Sequence, residues 1–522
     1  MTTAYVQPLH TPAPAGDTSE SDSLLTQERP SPGSRIVRNA VALGLGRPLT
    51  WLSTIGLTIL LPRYLGDVNL GKINLAFAFA DWCGLLVSFG ISTYLTKEVA
   101  RRGAAASAVV LNALVFRLVI ALAVGSVAAV VATFLGYDAL TRQLVYLLTT
   151  HMLLMVVTGV LTGALQGMEQ LRIVALVDAI SKLLLLGLVA LFLFQGYGPI
   201  GVAVAYILSD VLIITWYIYA LRRLGGLSGP IDPRTWRSLI LGGMPFLIWE
   251  AALLTYARID VIILSMFTHA AVLGWYHAAY RIISIPLFAP AVLMTVTFPA
   301  LSAAAKDQAV FSRIARRAIH VAVLMTVPMT IGLVVLADRL IQLFGYPEGF
   351  TNSIIPIQLL ALSLPLVGMN MIVGSILNAR DRQRKWAMAG VVAAVLNPAL
   401  NLVAIPYTQT EFGNGGIGAA AVTSLTEVFL LAAGQYLLPK GVLDTATFVG
   451  ALKCLLVGLI MGAGIWLAHG LPVLIVIPFG ALIYGAGSLL LGTVSLGDLR
   501  RVRTYLTERR AARSAHASSA LA

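Results

Sequence analysis

Fourteen apolar runs of about 20 residues, the first near residues 41–62 and the last near 471–492, follow one another with short polar turns between them. A helix needs a run of that length to cross a bilayer, because every backbone N–H and C=O inside lipid must be paired within the segment. The chain is therefore expected to be an all-α polytopic membrane protein with about fourteen transmembrane helices. A soluble multidomain architecture is excluded by 58% hydrophobic against 11% charged residues over 522 positions, with a mean hydropathy of +0.86.

The remaining segments divide around these runs. Residues 1–35 are rich in Ser, Thr and Pro and hold no apolar core, which reads as a disordered cytoplasmic tail rather than a signal peptide. Cys83 and Cys454 both fall inside spans, so neither a disulfide framework nor a metal-ligand spacing is expected, and no cofactor is implied. The net charge of +13 raises nucleic acid as a partner, but its distribution argues against one. Alternating spans from a cytoplasmic N-terminus leave only Arg63, Lys72, Arg142 and Arg339 in outer loops, while most Lys and Arg fall in cytoplasmic segments. Both termini are thus expected in the cytoplasm, and the basic tail at 496–522 is expected to meet anionic lipid head groups.

Four pairs of segments match in the same order along the chain. Gly46–Pro48 (GRP) matches Gly243–Pro245 (GMP), and Leu70–Ala76 (LGKINLA) matches Leu273–Ala279 (LGWYHAA). Leu165–Arg172 (LQGMEQLR) then matches Leu377–Arg384 (LNARDRQR), and Gly198–Asp210 matches Gly415–Glu427 down to the terminal carboxylate. A duplicated six-span unit follows: an N-lobe at 36–225, a C-lobe at 226–440 and two appended spans at 441–495. Six is even, so both units start from the same side. The repeat is then parallel, with a pseudo-twofold along the membrane normal and a V-shaped cleft between lobes. Pro48, Pro245, Pro286, Pro290, Pro328, Pro365 and Pro398 lie within spans and are expected to kink them.

Charges at bilayer depth cost roughly 2.5–3.5 kcal/mol each on insertion scales, so those that occur are expected to face water or one another. Arg117 and Lys453 lie near enough to span ends to snorkel. Asp178 and Lys182 have the four-residue spacing of an intrahelical ion pair and are assigned a structural or ion-coupling role. Arg47, beside Pro48, has Met244 as its counterpart, and this one-sidedness suits a substrate contact. In the stretch Gly242–Ile282, Glu250 and Arg258 are separated by about 80° of azimuth and about 12 Å along one helix, sharing a broad face. Asp260 points elsewhere and is read as structural or ion-coupling, with Arg281 or Arg63 as candidate partners. Asp81 has no sequence partner and is a cavity candidate. Asp210 and Glu427, equivalent in the repeat, are read as structural, and His151, His269, His320 and His469 as interfacial. Trp51, Trp249 and Tyr256 are candidates to line a cleft and stack on sugar rings.

No nucleophile elbow, His cluster or glycine-rich phosphate loop appears, and the outer loops are short, so an embedded enzyme is not expected. Pro62–Arg101 (PRYLGDVNLGKINLAFAFADWCGLLVSFGISTYLTKEVAR) and Arg258–Ile282 (RIDVIILSMFTHAAVLGWYHAAYRI) resemble the Wzx-type oligosaccharide and polysaccharide flippases of the multidrug, oligosaccharidyl-lipid and polysaccharide exporter superfamily. The resemblance implies a bacterial inner-membrane protein that opens alternately to either side. It would move a polyprenyl-pyrophosphate-linked oligosaccharide outward for cell-surface polysaccharide biosynthesis, with membrane lipids and a glycan polymerase or glycosyltransferases as partners. It makes Arg258 and Arg281 candidates for the anionic headgroup, since buried Arg binds phosphate oxygens bidentately. A multidrug or cation antiporter, a lipid II flippase and a non-transporting scaffold of a glycan assembly complex remain alternatives.

Overall fold

A computed structural model describes residues 32–494 except Lys440, with side chains from Leu49 onward save those of Ala104, Ala105, Pro245 and Trp249. Residues 1–31 of the expected N-terminal tail, the basic tail at 496–522 and the side chains of Arg47 and Trp249 therefore lie outside what it describes, and helix starts at Pro32, inside the expected tail.

Among the described residues there is no β-strand. The first half comprises α1 (Pro32–Ser88), α2 (Ile91–Arg102), a short 3-10 turn, α3 (Ser107–Phe134), α4 (Ala139–Gly167), α5 (Leu171–Phe194) and α6 (Gly198–Arg223). The second comprises α7 (Pro233–Phe267), α8 (Ala270–Ser284), α9 (Phe288–Ala303), α10 (Gln308–Leu343), a 3-10 turn at Glu348–Ser353, α11 (Ile354–Ala379), α12 (Gln383–Phe412) and α13 (Gly415–Leu437). Two more, α14 (Thr445–Leu467) and α15 (Val473–Leu490), pack on each other and on α10.

Eleven of these stretches are long and apolar enough to cross a membrane, or twelve with α8 and α9 taken as one span bent by 45°. The bend sits at Pro286, as its missing N–H requires. Residues 49–102 count there as one stretch, yet Gly66 at φ 71° and ψ 175° breaks α1 into two helices in a conformation open to glycine. Pro328, Pro365 and Pro398 are carried inside α10, α11 and α12. Asp232, Asp307, Asn414 and Asp444 accept backbone N–H groups at the starts of α7, α10, α13 and α14, satisfying donors that a first helical turn leaves free.

Packing recurs between the halves. The α3–α4, α4–α6 and α5–α6 contacts have counterparts in α10–α11, α11–α13 and α12–α13, and α1 on α5 corresponds to α7 on α12. The matched polar turns share backbone geometry as well: Glu169 and Asp381, the fifth residue of each, adopt positive φ, 60° and 55°. Such values are uncommon outside glycine, so their coincidence at matched positions supports one duplicated turn.

Candidate substrate-binding site

The halves meet along α1, α2 and α3 on one side and α7 and α8 on the other. At the Gly66 end, small residues bring backbones together. A Cβ on Gly71 would collide with the Ala270 carbonyl, and one on Gly274 would stand 2.7 Å from the Asp67 carbonyl carbon. Trp275 donates its indole N–H to Asp67 at 2.9 Å, and the Tyr346 hydroxyl donates to the Thr58 carbonyl at 2.5 Å.

The opposite end is also shut. Between α1 and α2 the helix breaks at Phe89 (φ 43°) and Gly90 (φ 63°), and the break rests on Gly243, where no side chain would fit against the Phe89 carbonyl. No proline marks this break, and sequence reading missed it. The Ser88 carbonyl it exposes is taken by Arg117 Nη2 at 2.7 Å, while Nη1 reaches the Val156 carbonyl at 2.5 Å. Arg117 is thus buried, 1% exposed, and does not snorkel as expected, because two carbonyls inside the lobe capture its guanidinium. Glu250, in electrostatic reach of Arg117, accepts the Ser88 hydroxyl at 2.5 Å. On the symmetric side the Trp51 ring lies 3.7 Å from that of Phe288, centroid to centroid.

Between these two closed ends lies a cavity of about 350 Å³, lined by Asn74, Arg258, Asp260, His277, Tyr280 and Arg281 among others. Arg258 Nε bonds Asp81 Oδ2 at 2.8 Å across the lobes, so the lone carboxylate and the span-seven cation of the sequence reading are partners. Arg258 keeps 33% of its side-chain surface exposed, which leaves it reachable from the cavity. Arg281 Nε donates to His277 Nε2 at 3.0 Å, one turn back on α8, and its guanidinium lies within electrostatic reach of Tyr206 in the N-terminal half. Asn74, 1% exposed, has no partner for either amide atom, although both face the cavity region. Sequence reading missed Asn74, since an asparagine in an apolar run carries no spacing signal.

The other candidates are placed less centrally. Asp260 is buried and accepts from the Tyr276 hydroxyl at 2.5 Å and the Val261 N–H at 2.8 Å, so it pairs with neither Arg281 nor Arg63. Tyr256 donates to Glu427, which also takes the Asn370 amide at 2.8 Å, and so braces α7, α11 and α13 rather than presenting a free ring. No ion pair joins Asp178 to Lys182 among the described residues; both line a separate cavity between α4, α5 and α6. His151 is buried, not interfacial, with Nδ1 2.5 Å from Asp210 Oδ2. His269 caps the start of α8, His469 follows α14 with Nδ1 2.9 Å from Arg339 Nη2, and His320, twelve residues into α10, has Nε2 2.8 Å from the Thr493 carbonyl.

Two half-buried guanidinium groups beside unpaired amide atoms fit an anionic group with several oxygens. Comparison with known proteins agrees in kind. A family model described as polysaccharide biosynthesis protein matches residues 36–305. "Probable flippase AglR" of Haloferax volcanii is 26% identical over 290 residues, covering 54% of this chain and 58% of that protein. "Probable low-salt glycan biosynthesis flippase Agl15" of the same organism is 29% identical over 174 residues, covering 33% of this chain and 35% of that one. The matches thus span little more than half, and about a third, of those relatives' lengths. Among solved structures, lipid II flippase MurJ in an inward closed conformation aligns with a TM-score of 0.71 at 16% identity over 87% of this chain and 98% of that one. An inward-facing multidrug resistance MATE family transporter of the MOP superfamily aligns at 0.61 and 17% identity, over 74% and 93%. These likenesses show the fold. With a little over half its length matched by the family model, the chain belongs to the polysaccharide biosynthesis protein family.

Proposed function

We propose that the protein is a flippase that carries a polyprenyl-diphosphate-linked oligosaccharide from the cytoplasmic to the outer leaflet by alternating access. The observation that carries this reading is the convergence of Arg258 and Arg281 on one cavity at the lobe junction, with Arg258 held by Asp81 of the opposite lobe. Half-buried guanidinium groups suit a diphosphate, and the prenyl tail can remain in lipid while the sugars cross a wet path. On this reading the chain has two six-helix lobes, at 36–225 and 226–440, and α14 and α15 are appended. It crosses the membrane fourteen times, with α1 split at Gly66 and α7 counted, and both termini lie in the cytoplasm. The Gly66 end is then the outer end. The recurrent packing and the matched turns support the lobe division.

A cavity of about 350 Å³ lies at the low end of the roughly 300–1,000 Å³ typical of small-ligand pockets, too small for an oligosaccharide with its diphosphate. The structure is therefore a closed state, and the cargo must enter another. Deleting the gene and analysing lipid-linked intermediates by mass spectrometry tests the reading. A specific oligosaccharide lipid is expected to accumulate on the cytoplasmic face, and Arg258→Ala or Arg281→Ala is expected not to restore export despite normal protein levels. Altered drug sensitivity without such a lipid would instead favour the antiporter, and full export in both arginine variants would sink the site assignment.

A further inference from the structure

A second concentration of polar side chains lies outside the arginine site. Between α4, α5 and α6 is a cavity of about 520 Å³, lined by Thr162, Gln166, Asp178, Lys182, Tyr206 and Asp210 among others. Gln166 is at the end of α4 and Asp178 two turns into α5, so the cavity starts at the cytoplasmic end of the proposed topology; His151, Tyr206 and Asp210 lie near the middle of their helices. A void walled by carboxylate, ammonium, amide and hydroxyl groups is costly inside lipid unless water or a polar ligand fills it. Two other cavities differ in kind: one lies between α3 and α4 against Leu118, Leu122 and Leu153, and another between α10, α11, α13 and α14 is mostly apolar.

Two features tie this cavity to the cargo. Tyr206 forms part of its wall and lies within electrostatic reach of Arg281, which lines the central cavity, so the two spaces are neighbours across one side chain. In a lipid-linked oligosaccharide the first sugar is likewise bonded directly to the diphosphate. The lining also offers what a glycan needs. Gln166 both donates and accepts, Asp178 and Asp210 accept from hydroxyls, and Lys182 donates. The volume lies within the roughly 300–1,000 Å³ of ligand pockets, enough for a few linked rings.

We propose that this N-lobe cavity is the binding site for the glycan portion of the cargo, with Arg258 and Arg281 holding the diphosphate beside it. The inference rests on the flippase reading. When the lipid-linked oligosaccharide loads from the cytoplasm, its sugars exchange water for the α4–α6 polar wall, and Tyr206 marks the junction between sugar and phosphate. Specificity for the glycan then belongs to Thr162, Gln166, Asp178 and Lys182, and affinity for any polyprenyl diphosphate belongs to the arginines.

The test measures binding of two probes to the purified full-length protein in lipid nanodiscs: undecaprenyl diphosphate, which has no sugar, and the lipid-linked oligosaccharide pool extracted from cells lacking the transporter. Thr162→Trp, which fills the cavity, and Gln166→Ala, which removes a hydrogen-bonding group without filling it, are the variants. Thr162→Trp is expected to weaken glycan-lipid binding at least tenfold, and Gln166→Ala several-fold, while undecaprenyl diphosphate binds both as it binds the unaltered protein. Arg258→Ala is expected to weaken both probes. Equal binding of the glycan lipid to all three cavity forms overturns the assignment and leaves the flippase reading standing. If the unaltered protein binds neither probe, the flippase reading fails and this assignment with it. Thr162→Trp losing both probes equally would also overturn it, as the effect would then be general misfolding or a shared site.

Discussion

Closure at the two ends depends on different glycines, and this makes the conformational balance adjustable from either side. In Gly274→Ala, the new Cβ would stand 2.7 Å from the Asp67 carbonyl carbon, against the 3.4 Å or more of an ordinary contact. The α1 and α8 backbones must therefore part by at least 0.7 Å, and by more at the nearer carbonyl oxygen. Overpacking a tight contact costs about 1–3 kcal/mol. Here the cost falls only on states in which the outer ends touch, so the closed-outer population should drop about 5- to 150-fold relative to an outer-open one. Gly243→Ala presses on the Phe89 carbonyl and should act on the cytoplasmic end instead. Spin-label distances report both ends: Gln143 with Glu411 for the outer, and Arg172 with Arg384 for the cytoplasmic. Gly274→Ala should lengthen the first distance distribution and Gly243→Ala the second. If either variant folds with unchanged distributions, or both shift the same pair, the glycine contacts are not the closing surfaces.

Two further outcomes follow from side-chain geometry. Arg117→Met leaves the Ser88 carbonyl, freed at the helix break, without its donor, at about 1–3 kcal/mol for a buried polar group left unpaired, and removes a second bond to the Val156 carbonyl, which keeps its helix partner. A lower melting temperature in detergent is expected, and Arg117→Lys is expected not to restore it, since one ammonium cannot replace a fork reaching two carbonyls; a wild-type melt in Arg117→Met would refute the bracing role. Near the Gly66 end, the Lys72 ammonium at 2.7 Å, helped by the Thr141 hydroxyl, holds the Asp138 carboxyl below its ordinary range. A carboxylate depressed on folding stabilises above its unfolded pKa of about 3.9, and that contribution is lost as pH falls through the folded value. Melting curves of the unaltered protein and Asp138→Asn should differ slightly near pH 7, given the pair's exposure, and converge below about pH 4. A gap that stays constant to pH 3 would exclude the linkage.

Local order and duplication were legible in the sequence, because both are written in short spans. The turns at Glu169 and Asp381 align in letters and in φ, and Pro286 bends its span where the missing N–H demands it. Cross-lobe pairing was not legible. Helix azimuth separates Arg258 from Asp260 but says nothing about which distant helix each faces, so Asp81 was selected as a cavity residue without its partner. Spacing misled at Asp178 and Lys182, where four residues allow an ion pair but a polar cavity alongside both side chains lets each be solvated separately. His151 was misread because hydropathy locates a residue along a helix and not around it. The break at Phe89 and Gly90 was invisible because glycine within an apolar helix is common, and only its contact with Gly243 makes positive φ necessary.

The pairing of Arg258 with Asp81 bears on how cargo could drive the lobes. A ligand shifts a conformational equilibrium only by its difference in affinity between states. In the closed state Arg258 spends its strongest interaction on a carboxylate of the opposite lobe. A diphosphate that engages the same guanidinium competes with Asp81, so it binds best where the lobes have parted and Asp81 is solvated. Binding therefore favours the open state through the very contact that holds the closed one, while release of the headgroup lets Asp81 reclaim the arginine. Neutralising Asp81 should uncouple these events: headgroup binding would persist, since Arg258 remains, but the closed state would lose the cross-lobe bond between Asp81 and Arg258.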